Sequence, residues 1–460
     1  MNLKKLFLPV DMTVGDPVRQ IVTFTIPMLL GNIAQQLYNT VDSIIVGRYV
    51  GDNALAAVGS AGPIVNLMLV LFMGISVGAN IMVSQYFGAR AREELSKTVG
   101  CCITLTAIAS VIIMIIGPLL SRPMLKMLNT PESIIDWCTS YLTIIFLGIL
   151  GGGFYNILSG VLRGLGDSFS ALVYLLVATF LNIVLDWVFV AKFNMGVPGV
   201  AWATILAQFV SAGLCLWRLT QMTDLFDMKK EYLIPEKQYS GSLIHLGIPS
   251  GVTQAIFSMS MIVVQSLTNT FGEQFIAANV IVMRIDGFVM LPAFSFGSAM
   301  TTYAGQNIGA GKMDRVTEGA KKGTIVAMCV SAVLTALILL FGKNIMGIFT
   351  KTQDLIDLSY RMMQILAVGY IAVEVSQCLQ GIMRGAGDTM TPMWISIITS
   401  VALRLPLAYL LVALSKTASA PQGNPAMIFV SLLINWTLGA VMTLVMYRVG
   451  KWKGKAIIGG

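Results

Sequence analysis

The chain has 460 residues, of which 56% are hydrophobic and only 11% charged, against about a quarter charged in ordinary soluble domains. Mean hydropathy is +0.79, and the apolar residues fall in runs of roughly 20, the length that crosses a bilayer as helix. A cytosolic enzyme, a secreted disulfide scaffold and a disordered chain are excluded, and the sequence reads as an all-α integral membrane protein.

In chain order, residues 1–17 read as a cytoplasmic N-terminal segment. They lack an apolar core ahead of a small-residue cleavage site, so no cleavable signal is expected. Helical spans are predicted near 18–47, 54–83, 98–120, 136–160, 170–191 and 197–218. The polar stretch 220–240, with Asp224, Asp227, Lys229, Lys230, Glu231, Glu236 and Lys237, is the only long connection and reads as a linker. Six more spans follow near 241–268, 277–304, 322–342, 358–382, 391–414 and 425–448. The predicted organisation is a six-helix bundle over 18–219, the linker, a second bundle over 241–448, and a cytoplasmic tail over 449–460.

Positive charge sets the direction of the spans. With both termini cytoplasmic, twenty of the thirty Lys and Arg fall inside, including Lys4, Lys5, Arg90, Arg92, Lys97, Arg163, Arg384 and the Lys451–Lys455 cluster. Eight fall outside, from Arg48 to Lys416, and Arg284 and Arg404 lie within spans. The net charge of +8 is thereby explained by topology, and no basic water-exposed domain is left to bind nucleic acid. A plasma-membrane location with a monomeric chain is the expectation.

The halves repeat. Ser159–Ser168 (SGVLRGLGDS) recurs as Gln380–Thr389 (QGIMRGAGDT), with Gly160, Arg163, Gly164, Gly166 and Asp167 matched at an offset of 221. The same offset carries Gln85, Gly88 and Ala89 onto Gln306, Gly309 and Ala310, and an offset of 222 carries Ile26-Pro27 onto Ile248-Pro249. An RGxGD alone is weak, since Gly after a helix is an ordinary cap; agreement at nearly one offset is strong. Six spans per repeat is an even number, so both halves enter the membrane in one sense. The two bundles are then related by a pseudo-two-fold axis along the membrane normal, an arrangement of transporters. No selectivity-filter sequence, acid ring or Arg-rich voltage sensor supports a channel, and no Walker A loop supplies ATP energy. An enzyme is not indicated, and any work would have to come from a coupling ion.

Ionisable groups inside spans are costly and point to function. Helical rise places Asp42, Asp186 and Thr204 at similar depth in the outer half of the first bundle. Tyr38 and Asn182 each precede an acid by four residues and share its face. No Lys or Arg of spans 1–6 reaches that depth. Two unpaired buried carboxyls have two low-cost states, protonated or ligating a cation, and oxygen ligands suit Na⁺ as well as H⁺. In the second bundle Arg284, Asp286, Glu374 and Arg404 fall near mid-depth, which is consistent either with a neutral ion-pair network that locks helices together or with a functional set.

Other features have structural explanations. The six cysteines sit in apolar segments and read as small buried hydrophobes, and the 28 methionines suit lipid-facing positions. His245, the only histidine, lies near the start of span 7 and reads as an interface residue. Pro27 and Pro249 occupy matching places and should kink spans 1 and 7.

Ile26-Pro27, Val41-Asp42, the doubled Arg-Gly-x-Gly-Asp loops and Asn182-x-x-x-Asp186 resemble the multidrug and toxic compound extrusion (MATE) transporters, over about Val18 to Arg448. The resemblance implies a V-shaped pair of six-helix bundles that export organic, often cationic, small molecules through a central cavity in exchange for H⁺ or Na⁺. It implies no cofactor beyond that ion. The family's N-lobe cation site falls on Asp42, Asn182, Asp186 and Thr204, with Tyr38 beside it; these would be the Na⁺ ligands in a sodium-coupled member. Glu374 matches the acid that some branches carry in span 10. Span 7 has Gln254 where those branches have an acid, a departure that favours N-lobe coupling as in the DinF-like branch. Asp286, Arg284 and Arg404 remain candidates for C-lobe coupling or substrate contact. The alternative within transport is a flippase for a lipid-linked precursor; a channel or receptor is the reading from another class.

Overall fold

A computed structural model describes residues 8–128, 130–417 and 421–458; Lys4 and Lys5, counted above among the cytoplasmic cations, lie outside them. Twelve spans are present among the described residues. Span 1 is Pro17–Tyr49, span 2 Asp52–Gly88 and span 3 Arg92–Met127. Span 4 is Glu132–Leu147 followed by Ile149–Gly164, with a bend of 52° at Gly148. Span 5 is Ser168–Asp186 continued by a π-helical turn over Trp187–Lys192, and span 6 is Gly196–Thr220. The second half follows as span 7 (Lys237–Thr268), span 8 (Glu273–Val289 and Leu291–Gly309) and span 9 (Met313–Met346). Span 10 (Gln353–Ala367 and Gly369–Gly385) bends by 44° at Val368. Span 11 runs Met390–Ile397, a π-helical turn Ile398–Leu403, then Arg404–Leu414, and span 12 is Ala426–Val449. Eleven are long and apolar enough to cross a membrane, counting each bent pair as one; span 1, which carries Asn32, Gln35, Gln36, Asn39 and Asp42, is not among them. Spans 3 and 9 run past the predicted 98–120 and 322–342, because their charged first turns continue the helix beyond the apolar stretch.

The repeat is written into the backbone. Left-handed positions recur at the sequence offset: Gly51 with Gly272, Arg90 with Gly311, and Gly166 with Gly387. In the RGxGD loops each residue type has a task. The glycine takes the left-handed conformation that ends one helix, with φ of 88° at Gly166 and 94° at Gly387. The aspartate then caps the next helix: Asp167 accepts from the Ser170 amide at 2.9 Å and Asp388 from the Thr391 amide at 3.1 Å. Asp167 also pairs with Arg218 at 2.9 Å.

The chain divides into two compact units, but not at the linker. One comprises Ile26–Gly251 with the N-terminal stretch ending at Asp11; the other comprises Met12–Thr25 with Val252–Gly460. The boundaries therefore fall inside spans 1 and 7, beside Pro27 and Pro249, rather than in the predicted 220–240 connection. Hydrogen bonds account for the division. Val10 donates its amide to the Gly166 carbonyl at 3.0 Å and Asp11 pairs with Arg90, all in the first unit. In the second unit, the Met12 amide donates to Gln306 Oε1 at 2.9 Å and Lys312 Nζ to the Thr13 carbonyl at 2.9 Å.

In the first unit, the start of span 7 lies directly against span 2. A Cβ on Gly74 would sit 2.6 Å from the Gly247 carbonyl oxygen and 2.8 Å from the Gly251 nitrogen, and one on Gly78 would sit 2.8 Å from the Leu243 carbonyl oxygen. Close backbone approach through small residues substitutes for hydrophobic drive between helices in lipid.

The 220–240 connection is docked on span 3. Arg92 Nη2 bonds Asp227 Oδ1 at 2.8 Å and the Thr223 carbonyl at 2.7 Å, and the Asp227 amide donates to Ser96 Oγ at 2.8 Å. The Arg92 guanidinium holds the Asp227 carboxyl below the usual carboxylate range. A carboxyl so shifted favours the docked state at neutral pH and loses that preference as pH falls through its lowered value. We expect Arg92→Ala to expose 223–233 to limited proteolysis at neutral pH, where the wild-type connection is cut only after acidification. Equal cleavage of the two proteins at neutral pH would refute this docking.

All six cysteines are free thiols, five of them buried and Cys329 exposed. Cys101 Sγ lies 3.3 Å from the Ser240 hydroxyl.

Candidate cation-coupling site

Spans 1, 5 and 6 of the first unit bring the predicted residues together. Asp186 and Asn182 are fully buried, Thr204 is buried, and Tyr38 and Asp42 are partly buried. The carboxyl groups of Asp42 and Asp186 are neighbours, close enough for each to act on the other. Asn182, with its amide oriented to satisfy its neighbours, donates to Asp186 Oδ2 at 2.9 Å and accepts from the Thr204 amide at 3.2 Å. Tyr38 donates its hydroxyl to Thr204 Oγ1 at 3.4 Å. One oxygen of each acid, Oδ1 in both, has no hydrogen-bond partner, and neither acid forms a salt bridge among the described residues.

Local structure explains the geometry. Helical period stacks Tyr38 on Asp42 and Asn182 on Asp186. Span 5 changes to a π-helical turn immediately after Asp186, a rare widening of the helix that often marks functional positions.

Sequence reasoning missed Tyr141. It is buried in span 4, close enough to feel both carboxyls and Tyr38. It is the tenth residue of the helix that starts at Glu132, a depth that the same rise-per-residue arithmetic gives once it is extended to neutral side chains.

The second unit differs from expectation. Arg284, Asp286, Glu374 and Arg404 form no ion pair with one another among the described residues. Arg284 is exposed while Asp286 is half-buried, because residues two apart on a helix face opposite ways. Asp286 accepts from the Tyr370 hydroxyl at 3.0 Å. Glu374 is buried with Oε1 unpartnered. Gln254 is exposed. Arg404 lines a cavity of about 520 Å³ with Gln265, Asn269 and Asn279, amides that the sequence reading did not single out. No group of three or more His, Cys, Asp or Glu side chains able to hold a metal ion occurs among the described residues.

A single family model, MatE, matches the chain twice, over residues 27–188 and 249–410. The chain belongs to the MatE family. The two MatE matches begin at Pro27 and Pro249, the prolines beside the unit boundaries, and together cover well over half of the sequence. Among curated relatives, probable multidrug resistance protein YoeA of Bacillus subtilis is 30% identical over 425 residues, covering 90% of this chain and 92% of that protein. Probable multidrug resistance protein YpnP of the same organism is 30% identical over 450 residues, 96% and 97% of the two chains. Probable multidrug resistance protein NorM of Thermotoga maritima is 24% identical over 461 residues, covering 99% of this chain and 97% of that protein. The MatE fold is shared with a crystallised MATE in complex with MaL6, at a TM-score of 0.88 and 23% identity over 95% of this chain and 97% of that one. An outward-facing multidrug resistance MATE transporter of the MOP superfamily likewise gives a TM-score of 0.88 at 23% identity, over 96% and 97%.

Proposed function

We propose that this MatE protein is a secondary active antiporter that exports organic, cationic or amphiphilic compounds, with H⁺ as the coupling ion and the Asp42–Asp186 pair as its carrier. The multidrug-resistance names of its relatives support the export reading. The observation that carries the coupling reading is the adjacency of two carboxyls, each with an unpartnered oxygen and no Lys or Arg paired to it among the described residues. Two neighbouring acids can share one proton, and releasing it leaves two like charges side by side with no counter-ion, so proton occupancy is tied to the packing of span 1 on spans 5 and 6.

Sodium is the rival ion, held by Asp42, Asn182, Asp186 and Thr204. N-lobe coupling of this kind agrees with the DinF-like branch. An ion drives export only by binding one conformation better than another, so the site must be reached from the side of high proton activity in one state and emptied in the other.

The test is substrate efflux from proteoliposomes with pH and Na⁺ gradients imposed separately. Efflux driven by the pH gradient alone is expected. Efflux driven only by Na⁺ would reassign the ion, and solute-free current under either gradient would indicate a channel.

A further inference from the structure

The repeat allows the acid site to be compared with its own counterpart. At the offset of 222 that relates the two family matches, Leu181, Leu185 and Val190 fall on the identical Leu403, Leu407 and Val412. Asn182 falls on Arg404 and Asp186 on Ala408; Tyr38 falls on Ser260 and Asp42 on Val264. Both carboxylates are thus replaced by apolar side chains, and the amide by a guanidinium. The equivalent pocket of the second unit has reversed polarity.

That pocket is the cavity of about 520 Å³ whose lining includes Val264, Gln265, Asn279, Arg404 and Phe429 and no carboxylate. Arg404 is only 4% exposed. A guanidinium has five N–H donors, yet Arg404 has few acceptors. Nη1 reaches the Ser260 hydroxyl at 3.3 Å, Nη2 the Met261 sulfur at 3.6 Å, and Nε has no partner. Ser260 in turn donates to the Ser400 carbonyl at 2.9 Å, which fixes its oxygen toward the guanidinium. Asp286, the acid whose field reaches Arg404, is held by Tyr370 and makes no salt bridge with it. Arg404 also begins the helix that follows a π-helical turn, whereas in the first repeat the turn comes after Asp186.

A buried, unpaired cation is costly and is satisfied by an anion of fitting shape. We infer that the cavity of the second unit is an anion-recognition site in which Arg404 binds the carboxylate or phosphate of an otherwise apolar molecule. Gln265 and Asn279 offer neutral donors beside it, and Met261, Ile262, Met283, Phe429 and Leu432 take the apolar body. The transport reading is needed only for the consequence that the protein handles zwitterionic or anionic amphiphiles. Binding itself is measured without a gradient, so that failure of one reading leaves the other standing.

The experiment is calorimetric titration of the detergent-purified full chain with 1-naphthoate and with uncharged 1-naphthamide. Wild type is expected to bind the carboxylate and to prefer it over the amide. Arg404→Asn, which installs the residue of the other repeat, should weaken naphthoate at least about 30-fold without changing naphthamide, and Arg404→Lys should retain part of the affinity. Repetition in nanodiscs with and without phosphatidylglycerol separates the sources: Arg404-dependent competition by the anionic lipid identifies a headgroup as the occupant of the same site. No naphthoate binding by wild type, equal binding of acid and amide, or an unaltered affinity in folded Arg404→Asn would each overturn the inference.

Discussion

Asp42→Asn and Asp186→Asn should each lower efflux driven by an imposed pH gradient by about 100-fold, the upper range of coupling between two sites, with insertion and monodispersity unchanged. Asparagine has nearly the shape of the protonated acid and can still hydrogen-bond across the pair, so packing of span 1 on span 5 survives. It cannot release a proton, so the substituted position is held permanently neutral. Because the partner carboxyl remains in each variant, the two results are informative separately. Loss in both assigns the function to the pair. Loss in only one would make that acid the carrier and its partner a positioning group. Wild-type initial rates in both variants, measured in proteoliposomes at equal protein density, would sink the assignment.

The second large effect concerns the seam between span 2 and the start of span 7. Gly247→Leu should destabilise the protein by about 3 kcal/mol, the cost of overpacking a site that has little room to relax. Its Cβ would lie 2.9 Å from the Ile75 Cα and 3.1 Å from the Gly74 carbonyl oxygen, and backbone atoms cannot turn aside as a flexible side chain can. The control is Gly59→Leu in span 2, where a Cβ meets nothing within 4 Å. Thermal melting in detergent should separate the two variants clearly; equal melting temperatures would show that the helices can part there without cost.

Much of this was readable from residues alone. Apolar run length marks eleven of the twelve spans, because lipid imposes a minimum length on a helix. The grouping of the candidate acids was suggested by depth and helical period, since Asp42 and Asp186 are both ionisable, both deep and both four residues after a polar neighbour. What the sequence hid was whatever depends on which helix faces which. Arg284 and Asp286 looked like partners by depth, yet their helix turns them apart. Tyr141 carries no charge in a span, so it drew no notice. The bends at Gly148 and Val368 fall among ordinary apolar residues, and the two π-helical turns have no composition of their own. The unit boundaries inside spans 1 and 7 were hidden for a similar reason: prolines announce a local change in a helix but not which neighbours each half will choose.

Those boundaries bear on how such a chain could have arisen. Met12–Thr25 belongs with the second repeat, and the opening of span 7 belongs with the first. An ancestor of half this length, holding one copy of the motif, could have met the same packing only as a pair of molecules exchanging their leading segments. Fusion of two genes would then have made a reciprocal embrace permanent, and cutting the modern protein at its midpoint should return two pieces that need each other to fold.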